Sequence, residues 1–254
     1  MDSFEHSEYS NSEPLPIRVI RMALKVPGVK INRRAFLEKE LRNRFPQDVV
    51  MSAIDNNPGF AGIRRCEIDR IANSCINYET TKVSGASFVA GLPGGPAMFG
   101  TVPADMAQFF AFMLRIMQKL AYLYGFEEFE LNENNVSDDT LNFILVFLGV
   151  MLGVQGTESA MIKITGSFAS KTAKSLARNP LTKTAIYTIV KKICKALGIR
   201  MTKEIFAKSV SKVIPVAGGV LCGGLTCVSF KIYSNRLQNQ FKRLPQTNPE
   251  FYTH

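Results

Sequence analysis

From Val83 to Ala104 the chain runs for twenty-two residues without a charge. That length would cross a bilayer as one helix. The stretch nevertheless contains Gly85, Gly91, Gly94, Gly95 and Gly100, with Pro93, Pro96 and Pro103 among them. Glycine weakens a helix and proline interrupts its hydrogen-bond ladder, so a single continuous helix is excluded. Two short helical pieces meeting at "LPGGP" satisfy both the apolar character and the breakers. A phosphate-cradling loop fits poorly, because Pro93 and Pro96 offer no N–H and the lysine followed by Ser or Thr of a P-loop is missing.

Elsewhere the apolar residues recur at helical spacing. "PIRVIRMALKVPG" predicts a short amphipathic helix stopped by Pro27 and Gly28, Asn32 caps a helix of about three turns, and Pro46 opens another that ends near Asn57. Residues 64–82 place Ile68, Ile71, Ala72, Cys75 and Ile76 on one face, opposite Glu67, Arg70, Ser74 and Asn77, and read as an ordinary surface-lying helix. "PADMAQFFAFMLRIMQKLAYLYG" is the strongest helix, with Gly125 as its stop. Ser137 caps "TLNFILVFLGVMLG", which is apolar on every side and belongs in the core. Further helices are predicted over 158–178, 180–197, 203–213 and 215–240. No period-two alternation of useful length occurs. The fold class is therefore all-α, a multi-helix bundle with Gly/Pro-broken apolar helical hairpins. Residues 1–14 read as a disordered tail, 15–60 as short N-terminal helices, 61–242 as the main helical domain and 243–254 as a second tail.

Residue counts close off much of enzymology. The two histidines, His6 and His254, lie in the predicted tails. A serine or cysteine nucleophile with an imidazole base, and most zinc or non-haem iron sites, need histidine on a rigid scaffold. Cys66, Cys75, Cys194, Cys222 and Cys227 form no C-x-x-C pair and read as reduced core thiols of a cytoplasmic protein. No apolar signal segment follows the acidic N-terminus, so secretion is not expected. No catalytic residue, cofactor or metal site is assigned, and the expectation is a protein that is not an enzyme.

Two features suggest binding. On the helix after the corner, Asp105, Gln108, Arg115 and Lys119 form a narrow stripe beside Phe112 and Tyr122. Facing solvent, this is simply the wet side of the helix; facing the bundle, Asp105 and Arg115 need partners, because an unpaired buried charge is costly. The second feature is charge. From Ala160 to Pro245 there are sixteen lysines and arginines against one acid, Glu204, a local net charge of +15 in a chain of net +10. Lys163, Lys171, Lys174 and Arg178 share one face of a helix, and Lys191, Lys192 and Lys195 oppose the apolar side of the next. Such faces are either plainly solvated surface or attract an anionic partner. Beside them, "VIPVAGGVLCGGLTCVSF" at 213–230 is uncharged, is bounded by Lys212 and Lys231, and carries Gly219 and Gly223 in G-x-x-x-G spacing. With Gly94 and Gly95 these are the candidate membrane-facing or packing glycines. Nucleic acid fits less well, for want of interleaved aromatics or a recognisable reading motif.

The segments "GLPGGPAMFGTVPADMAQFFAFMLRIMQKLAYLYG" at 91–125, "LNFILVFLGVMLG" at 141–153 and "KVIPVAGGVLCGGLTCVSFKIYSNRL" at 212–237 resemble the EcsC protein family. The resemblance extends over residues 60 to 240. It implies a bacterial cytoplasmic or membrane-associated helical protein, linked to an ABC-type transporter, with no family catalytic residue to carry over. The resulting expectation is a helical protein peripheral to the inner face of a membrane, with anionic lipids and a membrane transporter as partners and no nucleic acid. Its alternative is a soluble bundle holding a lipid-like ligand whose anionic end is gripped by Arg115 and Lys119.

Overall fold

The computed structural model of the chain describes residues 14–84, 104–131, 136–169, 195 and 218–252. Among the described residues there are eight helices and no strand: α1 Leu15–Leu24, α2 Arg33–Leu41, α3 Gln47–Asp55, α4 Arg65–Ser84, α5 Ala104–Leu123, α6 Asp138–Met151, α7 Thr157–Ala169 and α8 Gly218–Phe241. The all-α multi-helix bundle read from the sequence is the observed fold. The Gly/Pro corner at 85–103 and the predicted helices 180–197 and 203–213 lie outside the described residues, apart from the helical Lys195.

Local chemistry sets the helix ends. The Asn32 side chain accepts from Ala35 N at 2.8 Å and the Ser137 hydroxyl accepts from Thr140 N at 3.2 Å, each satisfying an N–H that the first turn leaves open. At the other ends the chain turns through glycine: Gly125 has φ +93° after α5 and Gly153 has φ +64° after α6, a region closed to most side chains.

α5 is the axis of the bundle, with α1, α2, α4, α6 and α8 packed round it. That arrangement follows from its sequence, whose Met106, Phe109, Phe110, Met113, Met117 and Leu120 are buried together with Phe112 and Tyr122. α6, apolar all round as expected, is also interior. α8 closes the bundle against α4, α5 and α6. Where these helices meet, Phe126, Phe147 and Phe241 form a triangle of rings with centroids 5.0 to 5.3 Å apart. The two edge-to-face pairs that Phe147 makes with Phe126 and Phe241 add about 0.5–1.5 kcal/mol each beyond their buried area.

α4 packs on α5 and α8 through Ile68, Ile71, Ala72, Cys75 and Ile76 while Arg70, Ser74 and Asn77 are exposed, the surface-lying helix read from the sequence. One part of the chain differs from its first reading. The segment from 243 onward, read as a tail, is folded through Tyr252: Leu244, Gln246 and Thr247 are buried, and Asn57 Nδ2 donates to Tyr252 Oη at 3.0 Å. The physical reason is a row of apolar and hydrogen-bonding groups that find partners on the turn after α3, which sequence spacing does not reveal.

Candidate functional site

The polar stripe of α5 meets α4 inside the bundle. Glu79, in the last turns of α4, is completely buried, and its carboxylate takes three donors from α5. Lys119 Nζ lies 2.6 Å and Arg115 Nη2 3.2 Å from Oε1, while Arg115 Nε donates to Oε2 at 3.3 Å. Residues 115 and 119 are one turn apart, so both side chains reach the same carboxylate. Arg115 Nη1 also donates to the carbonyl oxygen of Gly28, in the left-handed turn that ends α1. Gln118 completes the clamp on this loop: its Nε2 donates to Val29 O at 2.9 Å and its Oε1 accepts from Ile31 N at 3.0 Å. The Lys119 ammonium stands over two rings as well, 5.8 Å from Phe36 and 5.4 Å from Tyr78.

Burial alone would raise the Glu79 carboxyl, but the hydrogen bonds and charges of Arg115 and Lys119 outweigh it and hold the pKa below the ordinary glutamate value. A carboxylate kept ionised in this way is a poor proton acceptor near neutrality. The arrangement is a lock joining α4, α5 and the loop after α1. Two further buried networks have the same character. Arg33 donates to Ile54 O and Asn56 O, both at 2.6 Å, and so caps the end of α3. Tyr124 donates to Asp69 at 2.6 Å and accepts from Gln238 at 3.2 Å, tying α5 to α4 and α8, with Lys242 3.4 Å from the same aspartate. Burial, joined by the bond to Asp69, pushes the Tyr124 hydroxyl above the usual tyrosine range.

The residues singled out in the sequence are placed as follows. Arg115 and Lys119 converge as a pair, and Gln108 is half-buried on the same helix. Asp105 lies in the first turn of α5 and Lys163 in α7. Gly219 and Gly223 fall in the first turns of α8, and Lys195 is exposed. Lys171, Lys174, Arg178, Lys191, Lys192, Gly94 and Gly95 lie outside the described residues. Glu79, which organises the lock, was missed by sequence reasoning. A signal for it existed: it lies four residues after Cys75 and three after Ile76, an acid on the apolar face of its helix. Among the described residues no group of three or more His, Cys, Asp or Glu side chains is placed to hold a metal ion.

The outward face of α8 has a different character. Val228 and Ile232 are 58% and 44% exposed, and Lys231 and Arg236 are exposed along the same stripe, with exposed Arg243 just past the helix. Arg236 is steered by a 3.4 Å bond to Met151 O at the end of α6. Positions 228, 231, 232, 236 and 239 follow helical spacing, and none of them is acidic. Ile162 of α7 is 62% exposed.

These features define an all-α bundle whose few buried charges are paired and whose last helix presents cations and aliphatic side chains together. No protein-family model matches the chain, and no curated protein or solved structure matches it either.

Proposed function

We propose that this chain is a non-enzymatic helical protein that docks reversibly on an anionic membrane surface. The outward stripe of α8 carries the reading: exposed Val228 and Ile232 lie among Lys231 and Arg236, with exposed Arg243 just past the helix, and the stripe begins within the uncharged glycine-dotted run 213–230. Cations near an anionic bilayer contribute about 1 kcal/mol each, and aliphatic side chains between them enter the headgroup boundary. The +15 charge of residues 160–245 extends the same attraction. Among the described residues no helix is long and apolar enough to cross a membrane, so the proposed mode is lying on the surface. The resemblance to the EcsC family supports a location on the cytoplasmic face of the inner membrane and a transporter of the ABC type as protein partner.

Flotation with phosphatidylcholine vesicles, with and without phosphatidylglycerol, tests the reading. Binding is expected only to the anionic vesicles and is expected to fall with salt. Lys231→Gln combined with Arg243→Gln removes about 2 kcal/mol, a drop of roughly thirtyfold in partitioning. A protein that ignores both kinds of vesicle at low ionic strength ends the proposal.

A further inference from the structure

α2 and α4 both pack on α5, and the side chain of Lys119 stands between them. Its ammonium is 5.8 Å from the ring of Phe36 on α2 and 5.4 Å from the ring of Tyr78 on α4. Lys119 and Arg115 share the single carboxylate of Glu79, so this junction carries more positive than negative charge before its surface is counted.

The surface adds to the excess. Tyr78 is 52% exposed, and Lys82, one turn further along α4, holds its ammonium 4.6 Å from the same ring. Lys39, three residues after Phe36 on α2, is exposed on the side of that helix that faces α4. The hydrogen bond from Lys82, with the charges of Lys82, Lys119 and Lys39, lowers the pKa of the Tyr78 phenol. Among the described residues no carboxylate pairs with Lys39 or Lys82. The acids at hand are otherwise directed: Glu79 is taken by Arg115 and Lys119, and half-buried Glu40 acts on Cys75, as does Arg44. Glu38, next to Lys39, points about 100° round the helix from it. The same end of the chain is basic throughout, with nine lysines and arginines from residue 14 to 45 against Glu38 and Glu40.

Ammonium groups drawn together with no acid between them repel one another and favour an anion that several can reach. Here the donors come from two helices, Lys39 on one and Lys82 with Tyr78 on the other. The phenol oxygen accepts from Lys82 and so keeps its own O–H to donate. A tetrahedral anion offers a separate oxygen to each donor, and lysine serves phosphate as a point charge. We infer that Tyr78, Lys82 and Lys39 form a binding site for a phosphate group, with Lys119 maintaining positive potential beneath it. The site uses none of the residues of the α8 stripe and stands independently of the docking function proposed above.

Calorimetric titration of the full chain with inorganic phosphate, in a chloride buffer, is expected to show saturable binding. Lys39→Gln combined with Lys82→Gln removes two charged donors from helix surfaces and is expected to weaken it by about tenfold or more, with the helical circular dichroism kept. Tyr78→Phe should weaken it less, and Lys231→Gln with Arg243→Gln should leave it unchanged. Phosphate is also expected to slow the nitration of Tyr78 by tetranitromethane, read by peptide mapping, because it covers the phenol and offsets the lysines that favour its ionised form. Flotation with phosphatidylcholine vesicles carrying phosphatidic acid or phosphatidylglycerol at equal charge identifies the source of the phosphate. A preference for phosphatidic acid that the Lys39/Lys82 double variant loses assigns the site to a lipid headgroup; saturable binding of free phosphate without that preference assigns it to a soluble phosphate compound. If phosphate gives no saturable heat and the two kinds of vesicle float the protein alike, the site is wrong, and flotation with phosphatidylglycerol still leaves docking through α8 standing. Phosphate binding that the double variant retains in full overturns the assignment to these residues.

Discussion

A carboxylate at position 79 survives in the interior because two cations one helical turn apart reach it from α5. Removing one member of such a set leaves the others buried and unpaired, at a cost of about 3 kcal/mol or more. Glu79→Gln is therefore expected to destabilise the protein by about that amount in urea unfolding at neutral pH. The sign of its pH dependence follows from the lowered pKa. A carboxylate whose folded value lies below its unfolded value stabilises the fold above the ordinary 4.5, and that contribution is lost as the pH falls from there through the folded value. The stability difference between wild type and Glu79→Gln should accordingly shrink on acidification below about pH 4.5 and stay flat above it. The cysteines give a second residue-scale expectation. Burial, with the charge of Glu40 adding to it, pushes the Cys75 thiol up to about 12, whereas Cys66 is exposed. Peptide mapping after brief alkylation should find Cys66 modified and Cys75 intact until the chain is unfolded.

At the scale of elements, the helix boundaries were legible wherever a cap or a glycine marks them. Asn32, Ser137 and Gly125 act as their residue types predict, because a cap is a contact between near neighbours in sequence. Ser137→Ala should lower stability by about 1 kcal/mol, read as a shift in urea midpoint with unchanged slope. Phe147, a corner of the aromatic triangle, is fully buried, and Phe147→Ala should cost about 3–5 kcal/mol by the same measurement. The buried and exposed faces of α4 follow its apolar spacing, but the burial of Glu79 on its apolar side was not legible, because the cations that pair with it come from α5.

For the whole molecule, one core runs from Val19 in α1 to Leu244 beyond α8. The N-terminal helices are therefore joined to the bundle by buried apolar contact as well as by Arg33 and Gln118. The closing segment contributes too. Tyr252→Phe removes a hydroxyl that both accepts from Asn57 and donates to Gln246 O. Its loss is worth about 1 kcal/mol, or about 2–4 °C in Tm for a chain of this size, measurable by thermal unfolding. The buried charges Glu79, Lys119 and Arg33 are all paired or hydrogen-bonded.

The sequence by itself determined that the chain is helical, where several helices start and stop, and that α6 belongs in the interior. These are consequences of local hydrogen bonding and of apolar spacing along one helix, both of which operate over a few residues. Only the tertiary structure decided that Arg115 and Lys119 face inward onto Glu79, and that residues 244–252 clasp the turn after α3. It also decided that Phe60 packs on Tyr252. Each of those outcomes joins groups tens to almost two hundred positions apart, and their free energy depends on which surfaces meet when the helices pack.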